Sequence, residues 1–196
     1  MISNKLLNEI DRGRLGLNHG IPMKLPKLES IIDGVTRETY TLILSNSGAG
    51  KTSFALYAYV YRPLMEHLND DDFKVLYFSL EMGEVALYIK LLSIYIFETY
   101  GIQLSFKKIL SREKEYILSD EHYDLVKQCM PWVDKISEKL EIYDKKVTPN
   151  KVYAILKTRL EEMGTFSENE TRLVYIPNNP NLIYNVVVDH IGLVGT

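Results

Sequence analysis

The run Leu42-Ile43-Leu44-Ser45-Asn46-Ser47-Gly48-Ala49-Gly50-Lys51-Thr52-Ser53 constrains the fold of this chain more than any other segment. Three consecutive apolar residues stop at a cluster of Ser, Asn and Gly, as a strand buried on both faces of a parallel sheet does where it gives way to a loop. An amphipathic helix is expected from Lys51, with Phe54, Ala55, Ala58 and Tyr59 on its apolar side and Pro63 bending or ending it. Strand, glycine-rich loop and helix in succession fit the phosphate-loop pattern, except that Ser45 stands at its first glycine. Small residues let consecutive backbone N–H groups wrap a phosphate at the positive end of the helix that follows. Ser47, Gly48, Ala49, Gly50, Lys51, Thr52 and Ser53 are therefore the candidate nucleotide-binding residues. Lys51 is expected to set its ammonium between the β- and γ-phosphates, and Thr52 to offer its hydroxyl to Mg2+.

Downstream, apolar runs alternate with helical periodicity. Val75 to Phe78 reads as a second buried strand ending at Ser79, and Val85, Tyr88, Leu92 and Tyr95 as the stripe of a helix. Ser119 is placed to cap a helix with Tyr123, Val126, Met130 and Val133 inward, kinked or restarted at Pro131. Leu140 to Tyr143 is a short third strand. Thr148, Pro149 and Gly164 mark the cap, first turn and end of a helix that buries Val152, Ile155, Leu156 and Leu160. Thr171 to Ile176 and Leu182 to Asn185 read as a hairpin around the Pro177 to Asn181 turn, the second run continuing through Val186, Val187 and Val188 as a buried strand. The expected class is α/β, three layers around a mostly parallel sheet.

Two acids sit where such a sheet presents ligand-facing residues. Asp189 ends the Asn185 to Val188 strand, where a carboxylate can hold Mg2+ through water. Glu81 follows the Val75 to Phe78 strand, where a carboxylate can polarise an attacking water or simply favour the start of the next helix.

Composition narrows the class. The 196 residues are 46% hydrophobic, enough for a substantial core, and a net charge of −3 gives no overall basic field for gripping a phosphate backbone. The single cysteine, Cys129, excludes an internal disulfide framework and reads as core packing in a reducing compartment. Met1 to Gly20 lacks an apolar signal segment, and Ala86 to Phe97, interrupted by Lys90, reads as a buried helix rather than a membrane span. A cytoplasmic location and no membrane partner are expected.

Together, Ser79-Leu80-Glu81-Met82 after an apolar strand, the loop upstream, and Val187-Val188-Asp189-His190-Ile191-Gly192-Leu193 downstream resemble the ATPase domain of DnaB-type replicative helicases. The resemblance extends to Gly20-Ile21-Pro22 and to the helix from Thr148. It implies a RecA-like core over 25–196, behind a linker helix and connector over 1–24, in a bacterial cell or phage-infected host. It implies ATP and Mg2+ as ligands, Glu81 as catalytic base, Lys51 on the phosphates, and Thr52 and Asp189 at the metal. In such helicases a short helix ahead of the core docks on the adjacent subunit of a hexameric ring, a role that Ser3 to Arg12 matches. Ser45, His190 and Gly192 depart from the residues usual at their positions, and the interval from Glu81 to Asp189 is long for the family. His190 is expected to pack or hydrogen-bond rather than catalyse.

The family continues beyond its Walker B strand into DNA-contacting loops and an arginine finger worth about three to five orders of magnitude in rate. Little chain follows Asp189, so weak hydrolysis by this chain alone is expected, with single-stranded DNA a partner of the complete protein. Two alternatives stay open: another RecA-like ATPase of recombinase or clock type, which usually lacks the Ser-Leu-Glu-Met run, and a nucleotide-binding scaffold without turnover.

Overall fold

A computed structural model describes residues 2–16, 18–169 and 172–193. The chain forms two compact units, residues 1–68 and 69–196.

In the first unit, α1 (Ile2–Arg14) buries none of its residues, and its apolar positions Ile2, Leu6, Leu7 and Ile10 are all exposed. Beyond it, Ile21 and Val35 pair in an isolated antiparallel bridge and both are buried, which places the Gly20-Ile21-Pro22 run in a folded turn of chain. A four-residue helix, α2 (Pro26–Glu29), lies within that turn. The expected strand at Leu42 to Leu44 is absent: the segment is irregular, with Leu42 54% and Leu44 80% exposed. An apolar run becomes a strand only where a neighbour accepts its backbone N–H and C=O groups, and no described strand pairs with this one.

The helix after the loop begins at Lys51 as expected, but Pro63 does not end it. Helical structure runs through α3 (Lys51–Ala55), a π-wound stretch Leu56–Tyr61 and α4 (Arg62–Glu66). The wider winding sends the Arg62 N–H back five residues to the Tyr57 carbonyl. A proline clashes with the carbonyl four residues back in regular α-winding, and the π-turn immediately before it relieves that conflict. Pro63 then occupies the first turn of α4, where its missing N–H is not needed.

The second unit is built on a three-stranded, wholly parallel sheet of β1 (Phe73–Ser79), β2 (Leu140–Tyr143) and β5 (Ile183–Asp189), with β1 in the centre. An α/β architecture with a small parallel sheet thus stands as expected. The continuous apolar run of β1 follows from its central place, since strands flanked on both edges in a parallel sheet tend to be covered on both faces. Leu76 and Phe78 share one face and form a core with Val147. Val152, Ile155 and Leu156 of α9 (Pro149–Met163) pack against that core half-buried, which bears out three of the four positions of the expected stripe. A bidentate pair from Arg159 to Glu141, at 2.7 and 2.8 Å, ties α9 to β2.

Two other stripes hold in part. In α5 (Glu84–Tyr100) Leu92 is buried and Tyr88 and Tyr95 are half-buried as expected, but Val85 is exposed, and Leu87, Leu91 and Ile96 are the other buried positions. Between α5 and the next long helix lie α6 (Phe106–Ile109) and a 3-10 turn, Lys114–Tyr116. The helical hairpin that follows restarts at Pro131 as expected, giving α7 (Asp120–Gln128), capped by Ser119, and α8 (Met130–Ser137). Its buried residues are Cys129, Trp132 and Ile136; of the expected stripe Val126 and Val133 are half-buried, whereas Tyr123 and Met130 are exposed. Trp132 stacks on Tyr95 of α5 with ring centroids 4.1 Å apart, an aromatic contact that joins the two helices. Cys129 is buried and free, and burial raises its thiol pKa, in keeping with a packing role.

The expected hairpin between Thr171 to Ile176 and Leu182 to Asn185 does not form, because each run pairs with a different strand. Gly164 ends α9 and opens β3 (Gly164–Asn169), which pairs antiparallel with β4 (Arg172–Pro177), while Leu182 to Asn185 leads into β5 of the parallel sheet. Thr171, part of the expected first run, lies outside the described residues. Among the described residues no helix is long and apolar enough to cross a membrane.

Thr148 Oγ1 accepts the Lys151 N–H at 3.3 Å, so the N-cap of α9 is formed as its sequence requires. Thr148→Ala is expected to lower stability by about 1 kcal/mol. A denaturant midpoint unchanged from the parent would show that this cap contributes nothing.

Candidate functional site

In the first unit the loop from Ser45 turns into helix without a side-chain cap. Gly48 and Gly50 adopt φ of 78° and 89°, and a Cβ added at either would meet no atom within 4 Å. Their glycine requirement is therefore conformational: two left-handed residues in three turn successive N–H groups toward one side. Gly50 is the N-cap of α3, and the first return bond of the helix runs from Phe54 N–H to Gly50 O at 2.9 Å. The N–H groups of Lys51, Thr52 and Ser53 precede that bond and are the donors a helix start leaves for an anion. Lys51 folds its ammonium back over the loop, 2.9 Å from the Ser45 carbonyl oxygen and 3.0 Å from that of Asn46. Ser47, Gly48, Ala49 and Gly50 are all exposed, as a loop that receives a ligand must be.

In the second unit, β1 and β5 end side by side. Ser79 is the register partner of Asp189, and the Leu80 N–H carries the ladder one step further to the Asp189 carbonyl at 2.8 Å. Asp189 is only 8% exposed, and its Oδ2 accepts a 2.9 Å hydrogen bond from the Tyr77 hydroxyl. Tyr77 is fully buried, and burial followed by the Asp189 charge pushes its pKa far above the ordinary tyrosine value. It therefore stays protonated and can only donate to this carboxylate. The chain leaves β1 in a bend secured by Ser79 Oγ donating to the Met82 carbonyl at 2.5 Å. Glu81 sits in that bend, half-exposed, with the His190 ring Nε2 3.4 Å from its Oε1. The structure thus brings Glu81 and Asp189 to the same carboxyl edge of one sheet. Lys51 and Thr52 belong to the first unit, and Glu81 and Asp189 to the second.

Comparison with protein-family models, with curated proteins and with solved structures finds no match.

Two residues of this edge have roles that their local sequence does not show, and a third gains a partner. Tyr77 reads only as strand core, although strand alternation carries the signal. With Ser79 opposite Asp189, Tyr77 lies two residues back on the same face, a diagonal that a long aromatic side chain spans. Asp144, just past β2, accepts the Glu84 N–H at 3.1 Å and so caps the start of α5 from a distant segment, where no local pattern could reveal it. His190, expected to pack or hydrogen-bond, has its ring Nε2 3.4 Å from a Glu81 carboxylate oxygen.

Proposed function

We propose that this chain binds Mg2+-ATP through its glycine loop and hydrolyses it with Glu81 as general base. The observation that carries the proposal is the loop itself: two left-handed glycines, an uncapped helix start, and a lysine ammonium resting on loop carbonyls that a phosphate would replace. In this reading the first-turn N–H groups of Lys51, Thr52 and Ser53 surround the β-phosphate, and Lys51 bridges the β- and γ-phosphates. Thr52 Oγ1 is a hard oxygen donor of the kind Mg2+ accepts, and so, in the second unit, is the Asp189 carboxylate. Mg2+ supplies charge neutralisation on the transferring phosphoryl group. Glu81, exposed enough to reach a water, takes the proton of the attacking nucleophile.

The DnaB-type resemblance extends the proposal to a RecA-like, three-layer core of a replicative ring helicase that moves on single-stranded DNA as a hexamer. Paired acids at the ends of adjacent parallel strands support it. The irregular Leu42 to Leu44 segment is the point at which the chain departs from that pattern. Titrating the chain with ATP in Mg2+ by calorimetry, and then measuring phosphate release with and without single-stranded DNA, tests both levels. Binding of one ATP per chain and hydrolysis that rises with DNA are expected. No binding in Mg2+ would overturn the nucleotide reading, and binding with DNA-insensitive hydrolysis would overturn the helicase extension. Binding without any turnover would favour the scaffold reading.

A further inference from the structure

Asp189 and Tyr77 are 112 positions apart in sequence, yet they form a buried hydrogen-bonded pair at the carboxyl ends of β5 and β1. A carboxylate that holds a cation, directly or through water, must present one oxygen in a fixed direction. A carboxylate at the end of a strand can otherwise turn about its last side-chain torsion, which is broad and roughly two-fold. In this chain that torsion is fixed from one side, because the Tyr77 ring is fully buried and cannot swing away. Among the described residues, hydrogen bonds to the Asp189 side chain reach Oδ2 only, which leaves Oδ1 as the oxygen for a ligand.

The choice of partner matters chemically. A lysine or arginine would fix the carboxylate equally well but would place a positive charge where a divalent cation must approach. A protonated tyrosine fixes it while leaving the full negative charge. A tyrosine hydroxyl keeps its proton at neutral pH, so it serves as a donor to the carboxylate.

We propose that Tyr77 is a positioning residue for a metal: its hydroxyl occupies Asp189 Oδ2 and leaves Oδ1 for Mg2+. This rests on the reading of Asp189 as a magnesium residue. Partners of this kind, one step behind a metal-binding carboxylate, typically contribute about 10- to 100-fold to metal affinity.

The test compares ATP affinity in excess Mg2+ with affinity in EDTA for the parent chain and for Tyr77→Phe, which keeps the ring and removes only the hydroxyl. The ratio of the two affinities is the magnesium increment. It is expected to fall at least roughly tenfold in Tyr77→Phe, while affinity in EDTA stays the same. A merely structural role would weaken binding in both conditions alike, and that result overturns the proposal, as does an unchanged increment. Asp189→Asn should lose the increment too, and adding Tyr77→Phe to it should cost nothing further. A parent chain that binds ATP equally well in Mg2+ and EDTA would refute the magnesium role of Asp189 and this inference with it, while leaving the loop reading intact. Should Tyr77→Phe fail to fold, the parent chain answers directly. With Mn2+ and a slowly hydrolysed ATP analogue, the backbone amide resonances of Tyr77, Val188 and Asp189 should broaden beyond detection, and unbroadened signals would overturn the proposal.

Discussion

Lys51→Ala is expected to weaken Mg2+-ATP binding about a hundredfold without lowering the melting temperature of the chain. Both halves of that expectation come from where the ammonium sits. Its contacts are the carbonyl oxygens of Ser45 and Asn46, at 2.9 and 3.0 Å, on an exposed loop. Losing them costs the fold little, because water replaces a lysine at an exposed carbonyl. When a triphosphate enters, the ammonium exchanges two neutral acceptors for anionic oxygens, and hydrogen bonds to charged groups contribute about 1.5–3 kcal/mol each. A total near 3 kcal/mol corresponds to roughly a hundredfold in dissociation constant. Lys51→Arg should not restore affinity, since a planar fork does not fit where a compact point charge fits. Titration of the three proteins with a fluorescent ATP analogue in Mg2+ decides the matter. An alanine variant that binds within threefold of the parent would remove the loop from the binding site.

The features that sequence reading recovered are those whose cause is local. The N-cap at Thr148, the restart at Pro131 and the end of the Val75 to Phe78 strand at Ser79 each depend on a few neighbouring residues, and each is where it was expected. The failures share a different cause. Leu42 to Leu44 has the composition of a strand, but strand formation needs a partner, and composition does not disclose one. The β3 strand, Gly-Thr-Phe-Ser-Glu-Asn, has weak strand propensity and exists through its antiparallel pairing with β4. Trp132, missing from the expected stripe of α8, follows the same rule, because its stack on Tyr95 joins helices that no periodicity links. For the candidate site, the loop and both acids were legible from motif and strand-end position. Their supporting partners, Tyr77, Asp144 and the Glu81 contact of His190, were not, since each depends on the register of strands far apart in the chain.

Glu81→Gln is expected to reduce single-turnover ATP hydrolysis by about two to four orders of magnitude relative to the parent chain, the range a general base contributes, while leaving ATP affinity in Mg2+ unchanged. The amide keeps the size and hydrogen-bonding reach of the side chain but cannot accept a proton from water. The competing explanation for an acid at this position is that it favours the start of the following helix. The structure assigns that work to other residues. α5 begins at Glu84 behind the N-cap Gly83, Glu84 is the acid of its first turn, and Asp144 accepts the Glu84 N–H. Glu81 lies three residues before the helix, in a bend held by Ser79 and Met82 rather than by its own carboxylate. Among the described residues its ion-pairing neighbour is His190, half-exposed at 3.4 Å, and an exposed pair of this kind contributes little to stability. Glu81→Gln should therefore melt with the parent, and Glu84→Gln, removing the acid that serves the helix, should hydrolyse ATP at the parent rate. Phosphate release measured with enzyme in excess over ATP separates the two roles. If the rate persists in Glu81→Gln and falls in Glu84→Gln, the base is not Glu81, and the carboxyl edge of β1 serves the helix instead of the chemistry.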